Sequence, residues 1–457
     1  MSDKNKPKKS GSLSRRDFLK SSAWAGLGTA LSSRMLKAKS PAAVQSAQES
    51  SDRINIAVIG VGTQGRVLVE SCLRIPDIHF QAICDIWEYS QVYASRYLQK
   101  YGYKVNIYED YRQLLEKEKG LDAVIIATPD WMHAEHANAC MEQGLHVYCE
   151  KEMSNSLEKA QSMVRTSRRT GKLLQIGHQR RSNPRYIHAI DRLIHEKQLL
   201  GRVSQSYAQW NRSKSDMLGW PKKYTIPPEK LEKYGYRSMT EFRNWRWFKK
   251  YGGGPIVDLG SHQIDLFSWV YGTNPSSVTS CGGTDYYDKR EWYDNVMAIY
   301  EFKTVQGTCR ALYQVQTTTK YGGFYEAFMG DNGTIVLSEV PQFGNWAMRE
   351  AHAPEWDSLA KDGLLESETP PIQKVDTKNV FLDVRVTQEA GRWPLPVELA
   401  KPPHQPHLEN FFSAIRAGAS LTCPGEVGYE TALTVLTTNK AVGSPRKLRF
   451  QKEQFKA

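Results

Sequence analysis

From Arg53 onward the chain alternates short apolar runs with longer amphipathic stretches. Residues 54–59, 79–84, 123–127, the run from His146 and residues 172–178 are compact apolar segments, and stretches with helical spacing lie between them. Apolar runs that do not alternate with polar positions predict strands buried on both faces, and regular strand–helix alternation predicts a parallel, doubly wound sheet. Beyond Gly201 the rhythm changes: 203–210, 296–302, 307–315 and 333–337 follow one another without regular helices. That predicts a second, α+β domain with a large, mostly antiparallel open sheet. Amphipathic helices over 407–417, stopped by Gly418, and over 428–440 close the chain and are expected to serve structure.

The first strand runs into Gly60-Val61-Gly62-Thr63-Gln64-Gly65, a Gly-x-Gly-x-x-Gly turn opening a helix. Gly60 permits the tight turn, Gly62 lets the backbone approach a pyrophosphate, and Gly65 allows close helix–strand packing, so the N-terminal α/β unit reads as a Rossmann dinucleotide domain. The second strand ends in Asp85, about 20 residues after the last glycine. A carboxylate there accepts bonds from both ribose hydroxyls and repels a 2′-phosphate, which favours NAD over NADP; capping of the next helix is the other role open to it.

Three later stretches carry chemistry-bearing residues: Thr128-Pro129-Asp130-Trp131-Met132-His133, Glu150-Lys151-Glu152, and Asp258-Leu259-Gly260-Ser261-His262. Asp258 and His262, four apart, share a helix face, either as a catalytic pair or as a cap and a satisfied core histidine. His133 and His136 stand three apart, but no carboxylate or third histidine is spaced to complete a metal site, and no metal is expected. Together with the glycine turn and Cys84-Asp85, these motifs resemble, in order, those of the Gfo/Idh/MocA oxidoreductases. The resemblance covers most of the chain beyond Arg53. It implies that Gly60, Gly62, Thr63, Gln64, Gly65, Asp85, Thr128, Pro129, Asp130, His133, Glu150 and Lys151 line the cofactor, that Lys151, Asp258 and His262 are catalytic, and that Gln179 and Arg180 meet substrate. His262 would take the hydroxyl proton, Asp258 would orient it or anchor a neighbouring hydroxyl, and Lys151 would stabilise developing alkoxide charge. Glu152 stands where the family usually has proline, which leaves the Lys151–Glu152 bond open between cis and trans.

Charge enters next. The 457 residues carry 61 Lys+Arg against 49 Asp+Glu, a net +12 that invites a nucleic-acid reading. Residues 1–52 alone account for +6, and they contain Ser14-Arg15-Arg16-Asp17-Phe18-Leu19-Lys20 followed by a mildly apolar stretch. This resembles a twin-arginine export signal, with a basic tail as the bland alternative, and the stretch is shorter than the roughly 20 residues a membrane span needs. The expected organisation is therefore signal and linker over 1–52, NAD-binding domain over 53–178, and substrate domain over 179–457 with aromatic insertions at about 211–251 and 342–399. Those aromatics could stack on sugar faces or fill core and interface. Seven cysteines show no Cys-x-x-Cys or finger spacing and read as small buried hydrophobes.

The resulting expectation is a periplasmic, NAD-dependent oxidoreductase for a secondary hydroxyl of a sugar, cyclitol or glycoside. Exported already folded by the twin-arginine translocase, it would hold and recycle its own cofactor. Its partners would be a carbohydrate and other copies of itself in a dimer or tetramer, with neither nucleic acid nor a stable membrane span. Two alternatives remain: a redox-neutral glycoside hydrolase or epimerase working by transient oxidation and elimination, and a non-catalytic sugar-binding protein.

Overall fold

The structure, a computed structural model, describes residues 52–370 and 390–457. The twin-arginine segment and part of the second aromatic insertion lie outside the described residues. Six parallel strands form the first sheet: β1 (Ile54–Ile59), β2 (Ile78–Cys84), β3 (Asn106–Tyr108), β4 (Ala123–Ile126), β5 (His146–Cys149) and β6 (Leu174–Ile176), in the order β3-β2-β1-β4-β5-β6. The order reverses direction between β1 and β4, and at such a switch point the carboxyl ends of the strands open a crevice. Helices α1 (Thr63–Cys72), α2 (Glu88–Gln99), α3 (Tyr111–Lys117), α4 (His133–Glu142) and α5 (Leu157–Thr170) connect these strands. The ends of α5 follow from local chemistry: the Ser156 hydroxyl accepts from the Lys159 amide, and Gly171 leaves the helix in the left-handed region at φ 67°.

Both faces of the sheet are covered, which explains the continuous apolar runs. Leu68 and Val69 of α1 and Leu98 of α2 share one core with Leu408, Phe411 and Phe412. Leu114 of α3, Cys140 of α4 and Met163 of α5 share the other with Tyr429 and Ala432. The two closing helices, here Gln405–Ala417 and Gly425–Val442, thus complete opposite layers of the first sheet.

The second sheet has nine strands: β7 (Val203–Asn211), β8 (Pro275–Gly283), β9 (Asn295–Thr304), β10 (Gly307–Gln316), β11 (Phe324–Gly330), β12 (Gly333–Leu337), β13 (Trp346–Arg349), β14 (Trp393–Pro394) and β15 (Leu448–Arg449). Their order is β14-β13-β12-β11-β7-β10-β9-β8-β15, and only β7 with β10 is parallel. On one face a helix, α6 (Ser261–Tyr271), packs into the largest core with Tyr300, Phe302, Tyr313 and Phe328. Buried ion pairs tie the layers together: Arg181 grips Asp265 of α6 through three bonds of 2.8–3.0 Å, and Thr431 adds a fourth.

The aromatic insertions are mostly core. Tyr236, Tyr251, Ile226 and Met239 pack with Trp87, which follows β2, and with Trp131, which follows β4. Trp87 donates to the Tyr224 carbonyl at 2.6 Å, and Lys230 and Tyr234 both bond Glu109 beyond β3. The segment from Trp220 to Tyr251 therefore straps across the carboxyl ends of β2, β3 and β4. In the second insertion Trp356 and Trp393 are buried edge to face at 6.0 Å. All seven cysteines are unpaired, and all but Cys281 are buried.

Candidate active site

The glycine turn folds as its spacing requires. Gly60 sits at φ +87°, and a Cβ there would press within 2.7–2.8 Å of the Ala127 and Thr128 backbone. A Cβ on Gly65 would fall 1.9 Å from the Gly60 carbonyl. Gly62 differs, because a Cβ there meets nothing within 4 Å. It caps α1 without any side-chain bond, so no side chain caps the first amides of that helix among the described residues. Uncapped amides, a helix amino terminus and a glycine-floored hollow fit a dinucleotide pyrophosphate.

Around that hollow, Thr63 is exposed, while the Gln64 amide donates to Glu150 at 3.0 Å and lies 3.0 Å from His404. Asp85 accepts from the backbone amides of Val61 at 3.0 Å and Trp87 at 2.9 Å, linking the glycine turn to the loop after β2. The N-cap of α2 is Trp87, so Asp85 supports that loop without being the cap. Burial pushes its carboxyl up to about 6 against the pull of those amides and of Arg66 and Arg243.

The loop after β4 departs from expectation at two residues. Thr128 and Pro129 stay at the half-buried rim, but His133 is fully enclosed. Its ring nitrogens lie 2.7 Å from the carbonyl oxygens of Thr128 and Glu152, and burial pushes its pKa down to about 4. His133 thus staples the β4 and β5 loops together from behind and does not line the cofactor. His136 is likewise engaged, 3.1 Å from the Thr128 hydroxyl and edge-on to Tyr111. Asp130 is buried beside Arg246, Asp258 and Lys151, and burial lifts it to about 7. It belongs with the charged cluster.

That cluster joins the two sheets. Lys151, whose peptide bond to Glu152 is cis, reaches across to the Asp258 carbonyl oxygen and lies 3.5 Å from its carboxylate. Arg246 donates to the same carboxylate at 3.0 Å. Burial alone would favour the neutral acid, but Arg246, Lys151 and Arg212 outweigh it and hold Asp258 well below the usual carboxylate range. Asp258 makes no hydrogen bond to His262 among the described residues. The expected orienting role is replaced by one toward Lys151, because Asp258 lies in the wide turn Ile256–Gly260 before α6 begins at Ser261.

His262 is 7% exposed, flanked by the Trp210 ring at 5.9 Å and the His178 ring at 6.0 Å, and its buried Nδ1 has no partner among the described residues. Burial first, then the positive charge of Lys151 and Arg180, pushes its pKa well below 6.5 and keeps the imidazole neutral. Arg180 is 1% exposed and committed to Glu326 and Glu339, with Gln179 on Glu339 as well. Both were expected at the substrate; burial among carboxylates makes them internal supports instead. Arg246 went unmarked in sequence because it sits in a short turn, Trp245–Trp247, with no periodicity and no motif around it.

Two family profiles match the chain, one described as "Oxidoreductase family, NAD-binding Rossmann fold" over residues 54–178 and one as "GFO/IDH/MocA C-terminal domain" over 231–336. The chain belongs to the Gfo/Idh/MocA oxidoreductase family. Among its curated relatives, this Gfo/Idh/MocA chain is 29% identical to the D-glucoside 3-dehydrogenase of Escherichia coli (strain K12), over 49% of the chain and 55% of the relative. It is 25% identical to a scyllo-inositol 2-dehydrogenase (NADP(+)) of Bacillus subtilis (strain 168), over 50% of the chain and 54% of the relative. It spans about half the length of these relatives. An aldose-aldose oxidoreductase from Caulobacter crescentus, solved with glycerol, shares the fold with a TM-score of 0.64 and 16% identity, over 87% of this chain and all of that one.

Proposed function

We propose that the protein oxidises a secondary hydroxyl of a sugar, cyclitol or glycoside with NAD. The observation that carries this reading is the meeting of Lys151, from the loop after β5, with Asp258, from the turn before α6, beside a neutral, partly unpartnered His262 at the carboxyl ends of the dinucleotide sheet. NAD, when bound, supplies the hydride acceptor. His262 accepts the hydroxyl proton at a ring nitrogen, which its neutrality leaves free to do so. Lys151 donates to the reacting oxygen and stabilises its developing negative charge. Asp258, with Arg246 behind it, fixes the direction of the ammonium. The Trp220–Tyr251 strap and the walls around Trp210 exclude water. Asp85 favours NAD through the ribose hydroxyls.

The finer parts of the reading rest on the sequence. Ser14–Lys20 supports export by the twin-arginine translocase into the periplasm, where free dinucleotide is scarce and the cofactor must be retained and recycled in place. Outward Met297 and Ile299 on β9, about half exposed, support a homo-oligomer formed on the open sheet. The test is to release and identify nucleotide from the purified protein, then add a panel of glycosides. Stoichiometric keto-sugar with reduced nicotinamide supports the reading. Free aglycone without net redox change points to the hydrolase, and a protein with no affinity for dinucleotide refutes both.

A further inference from the structure

Among the described residues, one cation of the charged cluster has no carboxylate bonded to it. Lys151 and Arg246 share one carboxylate, that of Asp258. Arg212, the residue directly after β7, stands beside them with its backbone amide fixed to the Gln316 carbonyl at 2.8 Å. Its guanidinium lies 5.4 Å from the centroid of the Trp210 ring. That indole also flanks His262 at 5.9 Å and stacks on Phe324 at 4.6 Å. The Arg212 guanidinium therefore hangs over the same aromatic wall that borders the base. Among the described residues it has no hydrogen-bond or ion-pair partner, although Arg180 on the same indole is fully committed to two carboxylates. A half-buried guanidinium with no carboxylate bonded to it, drawn to Asp258 only at longer range and pushed by Arg246, is costly unless a ligand supplies a closer anion. Its planar fork matches a carboxylate bidentately, and one free fork suits one monoanion.

We propose that the substrate is an acidic sugar, a hexuronic acid or uronide, whose carboxylate is bound by Arg212 while a ring hydroxyl faces His262 and Lys151. This rests on the oxidoreductase reading above. The site thereby selects by charge: a neutral sugar would leave Arg212 unpaired and desolvated, which disfavours it in the closed complex.

The experiment compares a methyl hexopyranoside with the matching methyl hexuronide, which differ only in hydroxymethyl against carboxylate. The purified, dinucleotide-loaded protein is assayed by reduced-nicotinamide absorbance, and hexuronate binding is measured separately by calorimetry. The uronide should show kcat/KM at least about tenfold above the hexoside, as expected for a charge-assisted bidentate contact. Arg212→Gln should bring that ratio toward one and weaken calorimetric binding of the uronate by about tenfold or more, and Arg212→Lys should recover part of both. A ratio at or below one in the wild type, or a ratio unmoved by Arg212→Gln, overturns the assignment. If the hexoside is oxidised and the uronide is not favoured, only the acidic substrate fails. If neither sugar is oxidised or bound, the acidic substrate fails as well, and the oxidoreductase reading fails with it where the purified protein also retains no dinucleotide.

Discussion

Replacing Asp258 with Asn keeps the shape of the side chain and removes the one anion that Lys151 and Arg246 share. Breaking a buried ion pair by removing one partner costs about 3–5 kcal/mol when burial is complete. Here the Asp258 side chain retains 20% exposure and Arg246 retains 40%, so solvent screens part of the loss and about 2 kcal/mol of folding stability is the reasonable expectation. The effect on turnover should be larger than on folding. Lys151 keeps its bond to the Asp258 carbonyl but loses the carboxylate 3.5 Å away that aims the ammonium, and a misdirected donor to a developing oxyanion costs about 100-fold in kcat. KM should move little, because the contact is made chiefly as charge develops. Steady-state kinetics and urea unfolding on the dinucleotide-loaded protein measure both quantities. A variant that retains kcat within about threefold of wild type refutes the claim that this carboxylate positions Lys151.

Further expectations follow from single residues. Gly62→Val should leave the unfolding midpoint almost unchanged, because its Cβ meets open space, while weakening dinucleotide binding more than about tenfold by filling the pyrophosphate hollow; unaltered affinity by fluorescence titration would contradict that placement. Arg180→Met should lower stability by about 3–5 kcal/mol, because Glu326 and Glu339 are left buried and unpaired; a raised KM at unchanged stability would return Arg180 to the substrate surface. The pKa of His262 is depressed, so the active neutral form persists as pH falls through 6.5 and is lost only well below it. The acid limb of kcat/KM should therefore lie well under pH 6.5, and a limb at the ordinary histidine value would show that His262 is not held in this environment.

Much of the fold was legible because burial on both faces writes itself as continuous apolar runs. The strands from Ile54, Ile78, Ala123 and His146 and the reversal to antiparallel pairing after Gly201 all lie where the pattern changes. Strands β14 and β15, two residues each, were not legible, since pairing at a sheet edge needs no periodicity. The site was legible where geometry forces residue type, as at Gly60 and Gly65, whose Cβ positions are occupied by backbone. It was misread where a motif position and a contact surface differ. His133 and Arg180 occupy motif positions yet face inward, toward carbonyls and carboxylates that lie far away in sequence. Arg246 and Arg212 were missed for the converse reason: Arg246 reaches Asp258 from a short turn and Arg212 reaches Trp210 from just past the end of β7, and neither place carries a repeating signal.

On the proposed reading, the Lys151–Asp258–His262 site moves a hydride from a sugar carbon to bound dinucleotide. The most direct measurement is isotopic: the loaded protein is given substrate deuterated at the reacting carbon, and the released nucleotide is analysed by mass and NMR. Deuterium should appear at C4 of the nicotinamide in proportion to keto-sugar formed, and Lys151→Ala should abolish the transfer while nucleotide remains bound. Oxidised sugar with the label lost to water, or undiminished transfer in Lys151→Ala, would contradict the account.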